Sequence, residues 1–193
     1  MSEKFKDKYR IDSLRASWHD YNADCLYFVT INTARRECYF GEIIKNKVAL
    51  SSTGHIVNEC WREISNKFRF VDLGPYVIMP NHVHGIIKIN RDHFVETRFI
   101  ASHDDNKGIS ADDFLNFDYH PGGFSGCLNP MINNGLSKVM RWCKGKVTFE
   151  IRKIEFGFAW QPGYYERIIR NREEYLRFVK YIKENPSNWI AAP

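Results

Sequence analysis

Apolar and polar positions along the chain follow two rhythms. The run LYFVTINT at 26–33 is rich in aromatic and β-branched residues and predicts a first core strand behind a polar N-terminal arm. From Ser51 onward, Ile56, Val57, Cys60, Trp61, Ile64 and Phe68 recur every three or four positions. That spacing predicts an amphipathic helix capped by Ser51 or Ser52 and packed on a sheet. Next come YVIM, the pair Pro80-Asn81, and HVHGIIKI. Two β-favouring runs separated by turn formers predict a hairpin.

The texture changes at 91–134. Polar residues cluster around His103, Asp104 and Asp105, a Gly122-Gly123 pair follows, and no periodicity is sustained, so the segment is expected to be an inserted loop. Helical spacing returns at 135–152 through Leu136, Val139, Met140, Cys143 and Val147, with Lys138 and Arg141 on the opposite side and Lys144 flanking. FGFAW at 156–160 is a short aromatic strand candidate. YYERIIR then leads into a last helix whose start, Asn171 with Glu174 three residues on, fits a capping box. That helix is expected to stop near Asn185-Pro186. Irregular alternation of helices and strands around a central hairpin predicts an α+β fold, with helices covering one face of an antiparallel sheet. The 193 residues suit a single domain, 1–193, carrying the 91–134 insertion.

Composition adds limits rather than an answer. A net charge of +5 and a pI near 8.9 suit a polyanionic partner, but many unrelated proteins share them. Five scattered cysteines without a C-x-x-C pair indicate neither a disulfide framework nor a zinc knuckle and point to reduced thiols. The charged N-terminus has no apolar signal core and no stretch approaches a membrane span, so a cytoplasmic protein with no membrane partner is expected.

Two elements carry candidate chemistry. His82 and His84, one residue apart in a strand, point to the same face and can share a metal ion, leaving room for oxygen ligands. An H-x-H pair alone is common and often binds nothing. A metallo-β-lactamase arrangement would continue into an Asp-His pair, whereas Gly85-Ile86-Ile87 follows here. On the last helix, Tyr175, Phe178, Val179 and Ile182 form the apolar stripe; Tyr181 sits at its edge with Asn185 one turn on. A phenol needs a metal or base nearby to act as a nucleophile. Otherwise Tyr181 is a boundary aromatic and Asn185 a C-cap. Lys138, Arg141, Lys144 and Lys146 on one helix, and Arg167, Arg170 and Arg172 before the last, suit DNA phosphates or a solvated surface. Trp160, Tyr164 and Tyr165 suit stacking on unpaired bases, although core packing is the commoner role for Trp160.

The blocks YVIMPNHVHGII, LSKVMRWCKGKVT and WQPGYYERIIRNREEYLRFVKYIKENPSNW, with YFVTINTARRECYFGEI nearer the start, resemble the REP-associated tyrosine transposases, which belong to the single-tyrosine HUH transposases. The resemblance implies a ferredoxin-like α+β fold with the H-x-H pair on a central strand. It implies that His82, His84 and Asn185 bind Mg2+ or Mn2+ and that Tyr181 is the nucleophile; among the basic residues, Lys138, Arg141, Lys144, Arg167 and Arg170 are the ones expected to contact DNA. The implied reaction is transesterification on single-stranded, hairpin-forming DNA through a 5′-phosphotyrosyl link, by a monomer or a homodimer. Two readings compete with it: a noncatalytic single-stranded nucleic-acid-binding module, and a metal-dependent phosphodiesterase that uses water.

Overall fold

The computed structural model describes residues 25–90 and 135–189. The N-terminal arm, the expected 91–134 insertion and Cys127 lie outside the described residues. Among the described residues, ten elements follow one another: β1 (Cys25–Asn32), a 3-10 turn (Ala34–Arg36), β2 (Gly41–Ile44), β3 (Lys47–Leu50), α1 (Ser52–Lys67), β4 (Val71–Met79), β5 (His82–Ile89), α2 (Leu136–Ile151), β6 (Tyr165–Ile169) and α3 (Arg172–Glu184).

The main sheet runs β4-β5-β1-β6, with every neighbouring pair antiparallel. With α1 joining β1 to β4 and α2 lying between β5 and β6, this is the ferredoxin-like strand order, and the fold class is α+β as expected. The expected hairpin is present: Met79 pairs with His82 across a loop made of Pro80 and Asn81. β4 begins earlier than YVIM suggests. Its register shifts between Leu73 and Tyr76, which accommodates Pro75 on an edge strand, where a missing N–H costs least.

Helices cover both faces of the sheet, not one as the pattern suggested. Tyr27, Val29, Ile31, Val83 and Ile87 pack with Val57, Trp61 and Ile64 of α1 and with Val139, Met140 and Val147 of α2. Leu26, Phe28, Ile86 and Ile169 pack on the other side against Tyr175 and Ile182 of α3. The physical reason is visible in β1 and β5: all eight residues of β5 are buried, and Leu26, Phe28 and Ile86 put apolar side chains on the face away from α1 and α2, which therefore needs cover of its own.

Two more expectations change. FGFAW forms no strand; Thr33 and Trp160 make an isolated bridge, and Phe158 plugs the core against Tyr39, Phe40 and Trp160. The fourth strand is Tyr165–Ile169, an edge strand whose Glu166 and Arg167 disguise it in sequence. The sequence pattern also passed over the β2-β3 hairpin, turned by Lys45 and Asn46, both at positive φ (50° and 62°), as a two-residue type I′ turn requires.

The helix caps follow the sequence signals. Ser51 Oγ accepts from Gly54 N–H at 3.1 Å, and Asn171 Oδ1 accepts from Glu174 N–H at 2.9 Å. Glu174 returns a bond to Arg170 N–H at 3.0 Å.

Gly85, between His84 and Ile86, lies directly under the Trp61 ring; a Cβ there would meet Trp61 Cζ2 at 2.3 Å. The indole is fully buried and cannot retreat without disturbing α1. Gly85→Ala is therefore expected to cost about 1–3 kcal/mol through overpacking, measured as a lower urea midpoint. An unchanged midpoint would show that Trp61 is not wedged against the strand.

Candidate active site

Period-two alternation along β5 turns His82 and His84 to the α3 side of the sheet, and both are buried. Their ring centroids lie 4.4 Å apart. β1 supplies the residues opposite, since its register pairs Thr30 with His84 and Asn32 with His82.

Each imidazole is anchored through Nδ1. Asn81 Oδ1 lies 2.7 Å from His82 Nδ1, while the Asn81 amide nitrogen donates to the Arg36 carbonyl at 2.9 Å. Because that second bond orients the Asn81 amide, His82 Nδ1 must be the donor and Nε2 keeps its lone pair. Thr30 Oγ1 holds His84 Nδ1 at 2.8 Å. The His84 ring also stacks on Phe28, at 5.3 Å between centroids and 25° between planes.

α3 brings the remaining parts. Tyr175 and Ile182 are buried as the stripe requires, whereas Tyr181 is 47% exposed. Its ring packs edge-on to His84 with centroids 5.1 Å apart, and its Oη is 3.4 Å from His84 Nε2, at the long end for a hydrogen bond. One turn on, half-buried Asn185 hydrogen-bonds the His82 ring with its side chain. Trp189 approaches His82 from the far side, at 5.7 Å between centroids. Together with Thr30, Asn32, Arg36, Tyr165 and Asn188, these side chains line an open cleft of about 570 Å³.

Burial dominates the electrostatics. It pushes His82 down to about 4 and His84 down to about 3, with the Arg36 charge acting in the same direction on both rings. Both imidazoles are therefore neutral at pH 7. Among the described residues, no cluster of three or more His, Cys, Asp or Glu side chains occurs that would hold a metal. A cation at this cleft would rest on two imidazoles and the Asn185 amide. That donor set fits a divalent ion: two neutral rings tethered at Nδ1, with an amide within reach and space beside them for oxygen ligands.

The structure thus brings His82, His84, Tyr181 and Asn185 to one cleft. It distributes the basic residues differently. Lys138, Arg141 and Lys144 belong to α2, which packs on the opposite face of the sheet from the histidines. Lys144 Nζ donates to the carbonyls of Gln161 at 2.8 Å and Gly163 at 2.6 Å, and Lys146 pairs with Glu63. Arg141 lines a separate groove with Trp142 and Phe149. Arg167 follows Tyr165 on the cleft face of β6, over the Phe178 ring, and Arg170 lies at the strand's exit. Trp160 is a packing residue whose indole N–H donates to the Lys144 carbonyl at 3.2 Å.

Sequence reading missed Thr30, Asn81, Arg36 and Trp189. Asn81 had a signal in its place next to His82, and Thr30 follows only from the β1-β5 register. Arg36 carried none, because its approach depends on a turn after β1 that no periodicity announces.

No family model matches the chain. The fold is that of a REP-associated tyrosine transposase solved bound to a REP hairpin: TM-score 0.54 and 17% identity, covering 91% of this chain and 76% of that one. In sequence, the chain is 32% identical over 182 residues to an uncharacterized protein of Haemophilus influenzae (strain Rd), covering 92% of this chain and 88% of the relative. The chain belongs to one family with that Haemophilus protein. Among the described residues, no helix is long and apolar enough to cross a membrane.

The two histidines couple stability to pH. The unfolded chain takes up protons below about pH 6.5 while the folded rings do not, so stability is full above that value and falls as pH drops toward about 4 to 3. A urea midpoint that declines between pH 7 and 5, with a shallower decline in His84→Gln, is expected. Identical slopes in the two proteins would place the acid sensitivity elsewhere.

Proposed function

We propose that the chain is a single-tyrosine DNA nuclease of the transposase type, acting on single-stranded, hairpin-forming DNA. The observation that carries this reading is the contact between Tyr181 Oη and His84 Nε2 at 3.4 Å, beside a second neutral imidazole and an amide. A nucleophile and a donor set meet at one open cleft, on a fold shared with a protein solved bound to a REP hairpin.

In the proposed reaction, Tyr181 Oη attacks the phosphorus of a phosphodiester. The Tyr181 O–P bond forms as the P–O3′ bond breaks; the phenol loses its proton to solvent, and the departing 3′ oxygen gains one. The result is a 5′-phosphotyrosyl link and a free 3′-hydroxyl. No net hydrolysis occurs, so a DNA 3′-hydroxyl can reverse the step and rejoin strands. A divalent ion, Mg2+ or Mn2+, held by His82, His84 and Asn185 would supply polarisation of the phosphodiester. Thr30 and Asn81 orient the rings, and Phe28 supports His84 from below.

The half-exposed phenol leaves an approach for a strand, and Tyr165 and Trp189 offer ring faces for unpaired bases at the rim of the cleft. Arg167 and Arg170 are assigned to backbone phosphates near the cleft. Lys138, Arg141 and Lys144 are assigned to duplex or tail on the far side of the sheet.

Incubating the protein with Mn2+ or Mg2+ and a labelled single-stranded hairpin should give a protein-DNA adduct that survives denaturation. Tyr181→Phe should abolish it, and His82→Ala or His84→Ala should reduce it by about 100-fold or more. Cleavage without an adduct, insensitive to Tyr181→Phe, would favour a water-using phosphodiesterase. Hairpin binding with no metal-dependent cleavage would favour a binding module.

A further inference from the structure

Arg36 has no place in the reaction as described so far, yet several features converge on it. Among the described residues lining the cleft, it is the one Lys or Arg. No carboxylate among the described residues pairs with its guanidinium. Its backbone is in the left-handed region at φ 60°, directly after Arg35 at φ 54°. Unlike Lys45 and Asn46, these two residues do not link paired strands of a hairpin, and outside such a turn consecutive non-glycine residues in that region persist where surrounding contacts impose them.

Several of those contacts come from the turn that introduces the histidines, and Ala34 N–H also donates to the Ala159 carbonyl at 2.8 Å. Thr33, fully buried, donates its backbone N–H to the Asn81 carbonyl at 2.9 Å, and its hydroxyl proton is shared between that carbonyl and the Glu37 carbonyl. The Asn81 side chain holds the Arg36 carbonyl with its nitrogen and His82 with its oxygen. One amide thus spaces the arginine backbone from the imidazole.

We infer that Arg36 is the phosphate ligand of this site: its guanidinium grips non-bridging oxygens of the phosphodiester attacked by Tyr181, and Asn81 is the positioning residue that sets it beside His82. This rests on the nuclease reading above. A planar guanidinium matches two phosphate oxygens at once, and negative charge on those oxygens grows as the phosphoryl group transfers. The described lining of the cleft includes no Asp or Glu, so no carboxylate there competes with a phosphate for the guanidinium. The turn's strained backbone is the cost of bringing that cation to the phosphate.

The test is single-turnover adduct formation by the full chain with Mn2+ and a hairpin, comparing wild type, Arg36→Ala, Arg36→Lys and Arg36→Gly. Hairpin affinity is measured in parallel in a Tyr181→Phe background. Arg36→Ala should slow adduct formation about 100-fold, while hairpin affinity changes less than about 3-fold because most contacts lie elsewhere. Arg36→Lys should recover part of the rate. Arg36→Gly separates function from fold: glycine accepts φ 60° without strain, so its melting temperature should equal or exceed that of wild type while its rate falls as in Arg36→Ala. Arg36→Ala or Arg36→Gly reacting within twofold of wild type would overturn the assignment alone. Rates that fall only in step with melting temperature would make Arg36 a structural residue. A wild-type protein that forms no adduct would overturn the nuclease reading, and this assignment with it.

Discussion

The site depends on the pairing of β1 with β5. That antiparallel register sets Thr30 opposite His84 and Asn32 opposite His82, and the two-residue loop before β5 fixes which parity of the strand faces α3. A slip of one residue would turn Val83 and Gly85 toward the helix and drive the imidazoles into the core beneath Trp61. The close fit of Trp61 over Gly85 opposes that slip. Packing on one face of the sheet thereby holds His82 and His84 on the other.

Burial gives the histidines their character and demands supporting contacts. Sealed between Phe28, α3 and the loop after β1, the rings stay neutral, and each needs a partner for its Nδ1. Thr30 and Asn81 provide those partners and leave the Nε2 side of the pair toward the cleft. Tyr181 differs from its neighbours on α3 because it sits at the edge of the stripe. Tyr175 and Ile182 anchor the helix, while Tyr181 remains half in solvent and in touch with His84. The same helix is both cover for the sheet and carrier of the proposed nucleophile.

Much of this was legible in the chain. The α1 and α3 stripes, both caps and the central hairpin follow from periodicity and turn residues, and the face shared by His82 and His84 follows from strand alternation. What escaped was set by tertiary context. β6 reads as a charged connector because an edge strand keeps polar residues, and FGFAW reads as a strand although Phe158 serves as a plug. The role of α3 as second cover becomes evident only once β5 is seen buried on both sides. Thr30 and Arg36 belong to the site through register and one shared amide, relations that no local pattern encodes, whereas Asn81 was signalled by its place next to His82.

The central claim is that the phenol on α3 and the paired imidazoles on β5 form one reaction centre. The most direct measurement is peptide mass spectrometry on protein reacted with a hairpin and Mn2+, digested with nuclease and trypsin. The account predicts a nucleotide phosphate carried by the peptide containing Tyr181, and lost when His84 is replaced. A nucleotide on Tyr164 or Tyr165 instead, or on Tyr181 irrespective of His84, would contradict it.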